Sequence, residues 1–179
     1  SMKKKDLIWT LIYTKAKQEL RAKRNLENQG FEVFLPIISI EELADISKKE
    51  NLDAMFPRYL FIRLNHDEDW SSIRSTKGVS NIIFFGQKIA QVPTQLISYL
   101  KSKTDKKGVF KQKKIECDFK RGERIKIKKG TFQGMEAIFL SKSSKDRVRL
   151  LLKFTNQLTT AQLPASDVGK KEIIESFRM

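Results

Sequence analysis

The residue types that most often carry catalysis are nearly missing from this sequence. It has one cysteine, Cys117, and one histidine, His66, in 179 residues. A lone Cys and a lone His do not make a zinc site, and they argue against Cys–His or Ser–His catalysis. His66 sits in the polar run Asn65-His66-Asp67-Glu68-Asp69 and reads as a solvated turn residue. Gly130-x-x-x-Gly134 lacks the Lys-Ser/Thr continuation of a phosphate-cradling loop. No catalytic group, metal or cofactor is therefore expected. The chemistry on offer is that of recognition. The sequence has 36 Lys and Arg against 21 Asp and Glu, a formal net charge of +15, which points to an anionic partner. The run Phe56-Pro57-Arg58-Tyr59-Leu60-Phe61-Ile62 adds a second kind of recognition. It reads as a strand entered through a proline, with Tyr59 and Phe61 on one face and Leu60 and Ile62 on the other. One face can be core. The aromatic face needs a cover that no adjacent segment supplies, so it is a candidate docking surface.

The elements that must position these residues follow from periodicity. Leu7 to Thr14 is apolar and β-branched, with Trp9, Leu11 and Tyr13 on one face, and reads as a strand. Lys15 to Gln29 is rich in helix formers and stops at Gly30. Strand character returns over Phe31 to Ile40, and residues 41–53, polar and aperiodic, read as a hairpin or loop. The aromatic strand spans Arg58 to Leu64. A short helix from Asp67 to Ser75 carries Trp70 and Ile73 on one face, a strand runs from Val79 to Phe85, and Pro93 opens a helix to about Lys101. This order predicts an α+β fold for residues 1–100, an antiparallel sheet with helices packed on it.

Composition changes after residue 100. Residues 1–100 hold 15 Lys/Arg and 12 Asp/Glu, whereas residues 101–179 hold 21 and 9. Seven lysines fall within residues 101–114, so 101–118 reads as a basic linker extended by self-repulsion. Short apolar runs around Gly122 to Gly134, Ala137 to Leu140 and Val148 to Phe154 predict a small β-barrel over residues 119–179. The last of these is ambiguous. Val148, Leu150, Leu152 and Phe154 fit a strand, while Val148, Leu151, Leu152, Thr155 and Leu158 fit a helical stripe. Thr155, Thr159 and Thr160 favour the strand. With one cysteine, no internal disulfide and no run of about 18 apolar residues, the chain is expected to be a cytoplasmic monomer without a membrane partner.

Taken in order, Trp9 with Tyr13, the Phe56-to-Ile62 strand, Arg74-Ser75-Thr76-Lys77-Gly78-Val79 and the KOW-type stretch Gly122 to Gly134 resemble the NusG family of transcription elongation factors over nearly the whole chain. Phe85-Gly86-Gln87-Lys88-Ile89-Ala90-Gln91-Val92-Pro93, Gly130 to Phe139 and the ending Ser176-Phe177-Arg178-Met179 resemble the family's specialised RfaH-type branch. The resemblance implies a non-catalytic factor that rides on RNA polymerase, suppresses pausing and termination at specific operons, and reads an exposed single-stranded DNA element. It implies that Tyr13, Phe56, Tyr59, Phe85 and Leu100 line a pocket for the polymerase clamp helices. Lys15, Gln18, Arg21, Thr76 and Lys77 would form the DNA-contacting patch. It further implies that the C-terminal domain can fold as an α-hairpin masking the pocket, held by an Asp53–Arg147 pair. As a barrel, that domain is expected to bind a ribosomal protein of the S-ten class or a termination factor. Strand propensity favours the barrel; the RfaH-type likeness pulls toward the hairpin. Asp69-Trp70-Ser71-Ser72 departs from the branch's His-Thr-Thr run and resembles the housekeeping pattern. The alternative reading is a ribosome-associated or general RNA-binding KOW protein.

Overall fold

The computed structural model describes residues 7–40, 51–112, 138 and 143–160. The KOW-type stretch Gly122 to Gly134 lies outside them. The element order is β1 (Leu7–Thr14), α1 (Glu19–Asn28), β2 (Glu32–Phe34), β3 (Ile37–Ile40), β4 (Asn51–Ala54), β5 (Tyr59–Asn65), α2 (Trp70–Arg74), β6 (Val79–Ile82), β7 (Phe84–Phe85), β8 (Lys88–Ile89), α3 (Thr94–Lys103), β9 (Val109–Gln112) and α4 (Ser144–Thr160). The expected α+β fold is present. Four strands form a sheet in the order β2-β5-β1-β6, every pair antiparallel.

Alternation along β1 and β5 sends neighbouring side chains to opposite faces, and each face has its own core. Ile12, Leu60, Ile62 and Leu64 pack with Ala22 and Leu26 of α1 and Ile73 of α2. Trp9, Leu11, Phe34, Phe56 and Phe61 pack with Leu96, Ile97 and Leu100 of α3 and with Leu150, Leu151, Phe154 and Leu158 of α4.

Three expectations are corrected. The strand expected over Val148 to Phe154 is the middle of helix α4. Its helical stripe faces the sheet: Leu151, Phe154 and Thr155 are fully buried. Burial against the sheet outweighs the threonines' preference for strand. The residues read as a linker also hold ordered elements. Helix α3 continues to Lys103, and Val109–Gln112 forms β9, parallel to β3. A turn overcomes the lysine repulsion there. Asp105 accepts the N–H groups of Lys107 (2.8 Å) and Val109 (3.0 Å), and Gly108 takes a φ of +79°. The Val109 N–H above all holds the Asp105 carboxyl below its ordinary range. Finally, the Val79-to-Phe85 strand breaks after Ile82, and Phe84–Phe85 pairs back with Lys88–Ile89 across Gly86-Gln87. Gly86, at φ +64°, supplies the first central position of this two-residue turn.

Gly78 also has a positive φ, +97°, but its surroundings differ. A Cβ there would meet the Ala22 backbone N at 2.7 Å, whereas one on Gly86 would meet nothing within 4 Å. Gly78→Ala is expected to lower the unfolding free energy by about 3 kcal/mol, through backbone strain plus overpacking. Gly86→Ala, which adds strain alone, is expected to cost about 1 kcal/mol. Urea titration of the two variants checks this; equal losses would remove the close packing of Gly78 on α1 as the cause.

Candidate functional site

Two surfaces meet at the C-terminal end of β1. The first is aromatic. Tyr13 and Tyr59 are directly paired across β1 and β5, with ring centroids 5.1 Å apart. Both are half-buried. Burial, then the neighbouring Tyr13, pushes the Tyr59 phenol above its ordinary 10.0, against an opposing pull from Arg58. Phe56 and Leu100 lie deeper, fully buried in the cluster completed by α4. Phe56 meets Phe61 edge-on at 5.9 Å. Phe85 is half-buried in β7, against which α4 also packs. The aromatic face therefore has a cover, and it is the chain's own helix α4.

Polar contacts hold that helix at both ends. In its first turn Arg147 is 3% exposed and donates Nε to the Met55 carbonyl at 2.9 Å. Burial pulls the Arg147 pKa down, and the Asp53 carboxylate opposes that pull. In its last turn the Thr159 hydroxyl accepts the Gln91 N–H at 3.0 Å. Within the helix, Thr155 and Thr159 donate back to the carbonyls four residues earlier, Leu151 and Thr155. Such back-bonding weakens a helix slightly. A helix of 17 residues containing Val148, Thr155, Thr159 and Thr160 has little intrinsic stability. The sheet face supplies what its sequence does not.

The second surface is basic. Helix α1 begins at Glu19, not at Lys15, because Lys17 takes a left-handed φ of 60°. Gln18 is therefore the capping position, one residue outside the helix that carries Arg21. Lys15, Arg21 and Lys77 are exposed, and Gln18 is half-buried. The loop carrying Thr76 and Lys77 is tied to this region by main-chain and side-chain bonds. Lys15 N–H donates to the Gly78 carbonyl (2.9 Å), Asn25 Nδ2 to the Lys77 carbonyl (3.0 Å), and Gln29 Nε2 to Thr76 Oγ1 (2.7 Å). Thr76 itself is 7% exposed and also donates to the Ser72 carbonyl, so it anchors the loop while Lys77 is presented. The two segments of the patch, far apart in sequence, thus form one basic face. Asp69 caps α2 by accepting the Ser71 N–H, and Trp70 packs edge-on against Phe84.

A family profile described as "Transcription termination factor nusG" matches residues 7–101, more than half of the chain. The chain belongs to the NusG family. The NusG protein of Thermus thermophilus, a transcription termination/antitermination protein, is 23% identical over 90% of this chain and 97% of its own. That of Staphylococcus aureus is 29% identical over 69% of this chain and 73% of its own. A solved structure titled "Domain interaction in Thermotoga maritima NusG" aligns with a TM-score of 0.44 and 21% identity, covering 71% of this chain and 75% of that one. Among the described residues no group of His, Cys, Asp and Glu could hold a metal ion, and no helix is long and apolar enough to cross a membrane.

Sequence periodicity had raised the helical stripe of α4 as an alternative. It gave no sign of Arg58, whose guanidinium carbon lies 4.2 Å above the Tyr13 ring centre. That residue has a φ of 70°, which for a non-glycine costs on the order of 1–3 kcal/mol.

If the sheet face holds α4 in its helical form, Phe154→Ala removes its largest anchor. The expected cost is about 3–5 kcal/mol of docking free energy. Far-ultraviolet circular dichroism should then show loss of helix, while the sheet core keeps its thermal transition. Lys153→Ala, on the exposed side of α4, should change neither.

Proposed function

We propose that this NusG-family protein is an RfaH-type elongation and antitermination factor. It docks on the clamp helices of RNA polymerase through Tyr13, Phe56, Tyr59, Phe85 and Leu100. Its basic face of Lys15, Gln18, Arg21 and Lys77, braced by Thr76, contacts single-stranded DNA exposed in the elongation complex. It acts as a non-enzymatic cytoplasmic monomer at specific operons. Residues 1–100 are the recognition domain, 101–118 join it to the regulatory domain, and 119–179 form that domain. The observation that carries the RfaH-type assignment is α4 on the aromatic face. An ordinary docking surface would be open, and this one is covered by a helix from the regulatory domain. The barrel form of that domain, with its ribosomal-protein partner, belongs to the released state.

Physically, docking is helix-in-groove recognition, in which a knob of the partner enters an apolar pocket. The cover and the polymerase compete for one face, so α4 sets the fraction of molecules able to dock. Arg147 with Asp53 and Thr159 with the Gln91 N–H are the polar latches. The basic face attracts phosphates through Lys and Arg, while Gln18 and Arg21 offer hydrogen bonds to splayed bases.

In vitro transcription on templates with and without a pause-site element tests the two surfaces. Tyr59→Ala should abolish the effect on elongation, whereas Arg21→Ala should keep binding to polymerase and lose dependence on the template sequence. Equal activity of both variants and the parent protein would sink both assignments. For the cover, weakening α4 docking by about 3 kcal/mol through Phe154→Ala should tighten polymerase binding by up to about a hundredfold, read by titration with core polymerase. Unchanged affinity, with α4 released, would refute competition for the face.

A further inference from the structure

Arg58 stands where the two surfaces meet, and its conformation is not explained by either. Pro57 and Arg58 are the central residues of a turn closed by the Tyr59 N–H donating to the Phe56 carbonyl at 2.9 Å. Proline suits the first central position. The second, at φ +70°, is one that glycine or asparagine ordinarily fills. The arginine is held there by four contacts, the first being the Thr14 N–H donating to its carbonyl at 2.8 Å. Its N–H donates to Glu19 Oε1 at 3.0 Å, its Nε donates to the Thr14 carbonyl at 3.1 Å, and its guanidinium lies over the Tyr13 ring. Glu19 is thus engaged with the main chain of Arg58. None of these contacts uses the two terminal guanidinium nitrogens, and among the described residues no ion pair or hydrogen bond engages them.

A guanidinium fixed by its Nε and by one face is a pre-organised fork, and the Nη1–Nη2 edge matches the paired oxygens of a phosphate. Its anchors define where it sits. Thr14 adjoins Lys15, and Glu19 adjoins Gln18, so Arg58 is bonded to both sides of the turn that leads into α1. Tyr13, beneath it, meets in turn the Tyr59 ring at a tilt of 52°.

We infer that Arg58 is a further nucleic-acid contact, a clamp for one phosphate of the single strand lying along Lys15, Gln18 and Arg21. This rests on the DNA-binding reading of that basic face. The contact is to backbone, so it adds affinity without sequence preference. It also joins the DNA-facing surface to the rim of the docking pocket.

The test uses the full chain, fluorescein-labelled single-stranded oligonucleotides of several sequences, and anisotropy titrations across a salt series. Arg58→Gly suits the left-handed position, so its melting temperature should equal or exceed that of the parent. Its affinity should nevertheless fall by about tenfold for every sequence, and its salt slope should shrink by about 0.7, the loss of one phosphate contact. Arg58→Lys should keep the salt slope and lose part of the affinity, because an ammonium lacks the fork. If Arg21→Ala weakens binding but Arg58→Gly leaves affinity and slope unchanged, the clamp is wrong and the basic face stands. If neither variant changes binding, the DNA-binding reading fails and takes the clamp with it. If Arg58→Gly weakens polymerase binding while DNA affinity holds, the fork meets a carboxylate of the polymerase and the phosphate assignment is overturned. Should Arg58→Gly melt lower than the parent, Arg58→Lys decides: a retained slope supports the clamp, and a reduced one overturns it.

Discussion

The covered state of this molecule depends on one apolar contact, that between the aromatic face of the central sheet and helix α4. Phe56 and Phe61 on one side and Leu151 and Phe154 on the other are fully buried together. Both partners gain from it. The sheet would leave a broad aromatic surface in water without the helix, an exposure that soluble proteins reserve for binding. The helix carries β-branched residues and threonine back-bonds that weaken it. Under the proposed function this contact would act as a two-state element, since losing it would uncover the aromatic face and remove the support of the helix.

The opposite face of the sheet is built on a different constraint, the close approach of the Gly78 loop to α1. A side chain at residue 78 would overlap the Ala22 backbone. Because it is glycine, the loop sits against the helix and places Lys77 beside the residues of the α1 entry. The bonds that hold the loop are mostly to main-chain carbonyls, which fix position without consuming the charged side chains. Lys15, Arg21 and Lys77 remain exposed as a result.

Much of this was legible in the sequence because period and burial agree. In β1 and β5 both faces are buried, and the alternation of Leu60, Phe61 and Ile62 sorts correctly into two cores. The α4 segment was not decided by period, since residues 148–158 satisfy both repeats. What decides is which side is covered: Thr155 and Thr159 are buried while Lys153 and Asn156 are exposed, a helical partition that only the sheet imposes. β9 was hidden because its two apolar residues, Val109 and Phe110, are flanked by lysines, and its pairing with β3 depends on the Asp105–Gly108 turn. The basic patch was legible as residue types and only partly as geometry. Nothing in the sequence placed Gln18 at the cap or turned Thr76 inward, because the left-handed Lys17 and the Gln29 bond arise from tertiary contacts. Arg58 was invisible for a related reason. The usual signal of a positive φ is glycine, and here an arginine is held in that conformation by partners distant in sequence.

The two surfaces differ in when they are available, and that imposes an order on the proposed function. The basic residues are exposed in the same structure in which Phe56 and Leu100 are buried. On that proposal nucleic acid could meet the closed protein, whereas polymerase docking would require α4 to leave. A strand held at Arg58 would lie one residue from Tyr59 and over Tyr13, at the edge of the covered pocket. Contact with DNA would then bring the protein to the elongation complex before its docking face opens. The polymerase helix needs only to displace a helix of low intrinsic stability at high local concentration. Selectivity would come from the first step and tightness from the second. A protein with an open aromatic face would dock wherever polymerase is found, and the cover that α4 provides is what would make the DNA contact decisive.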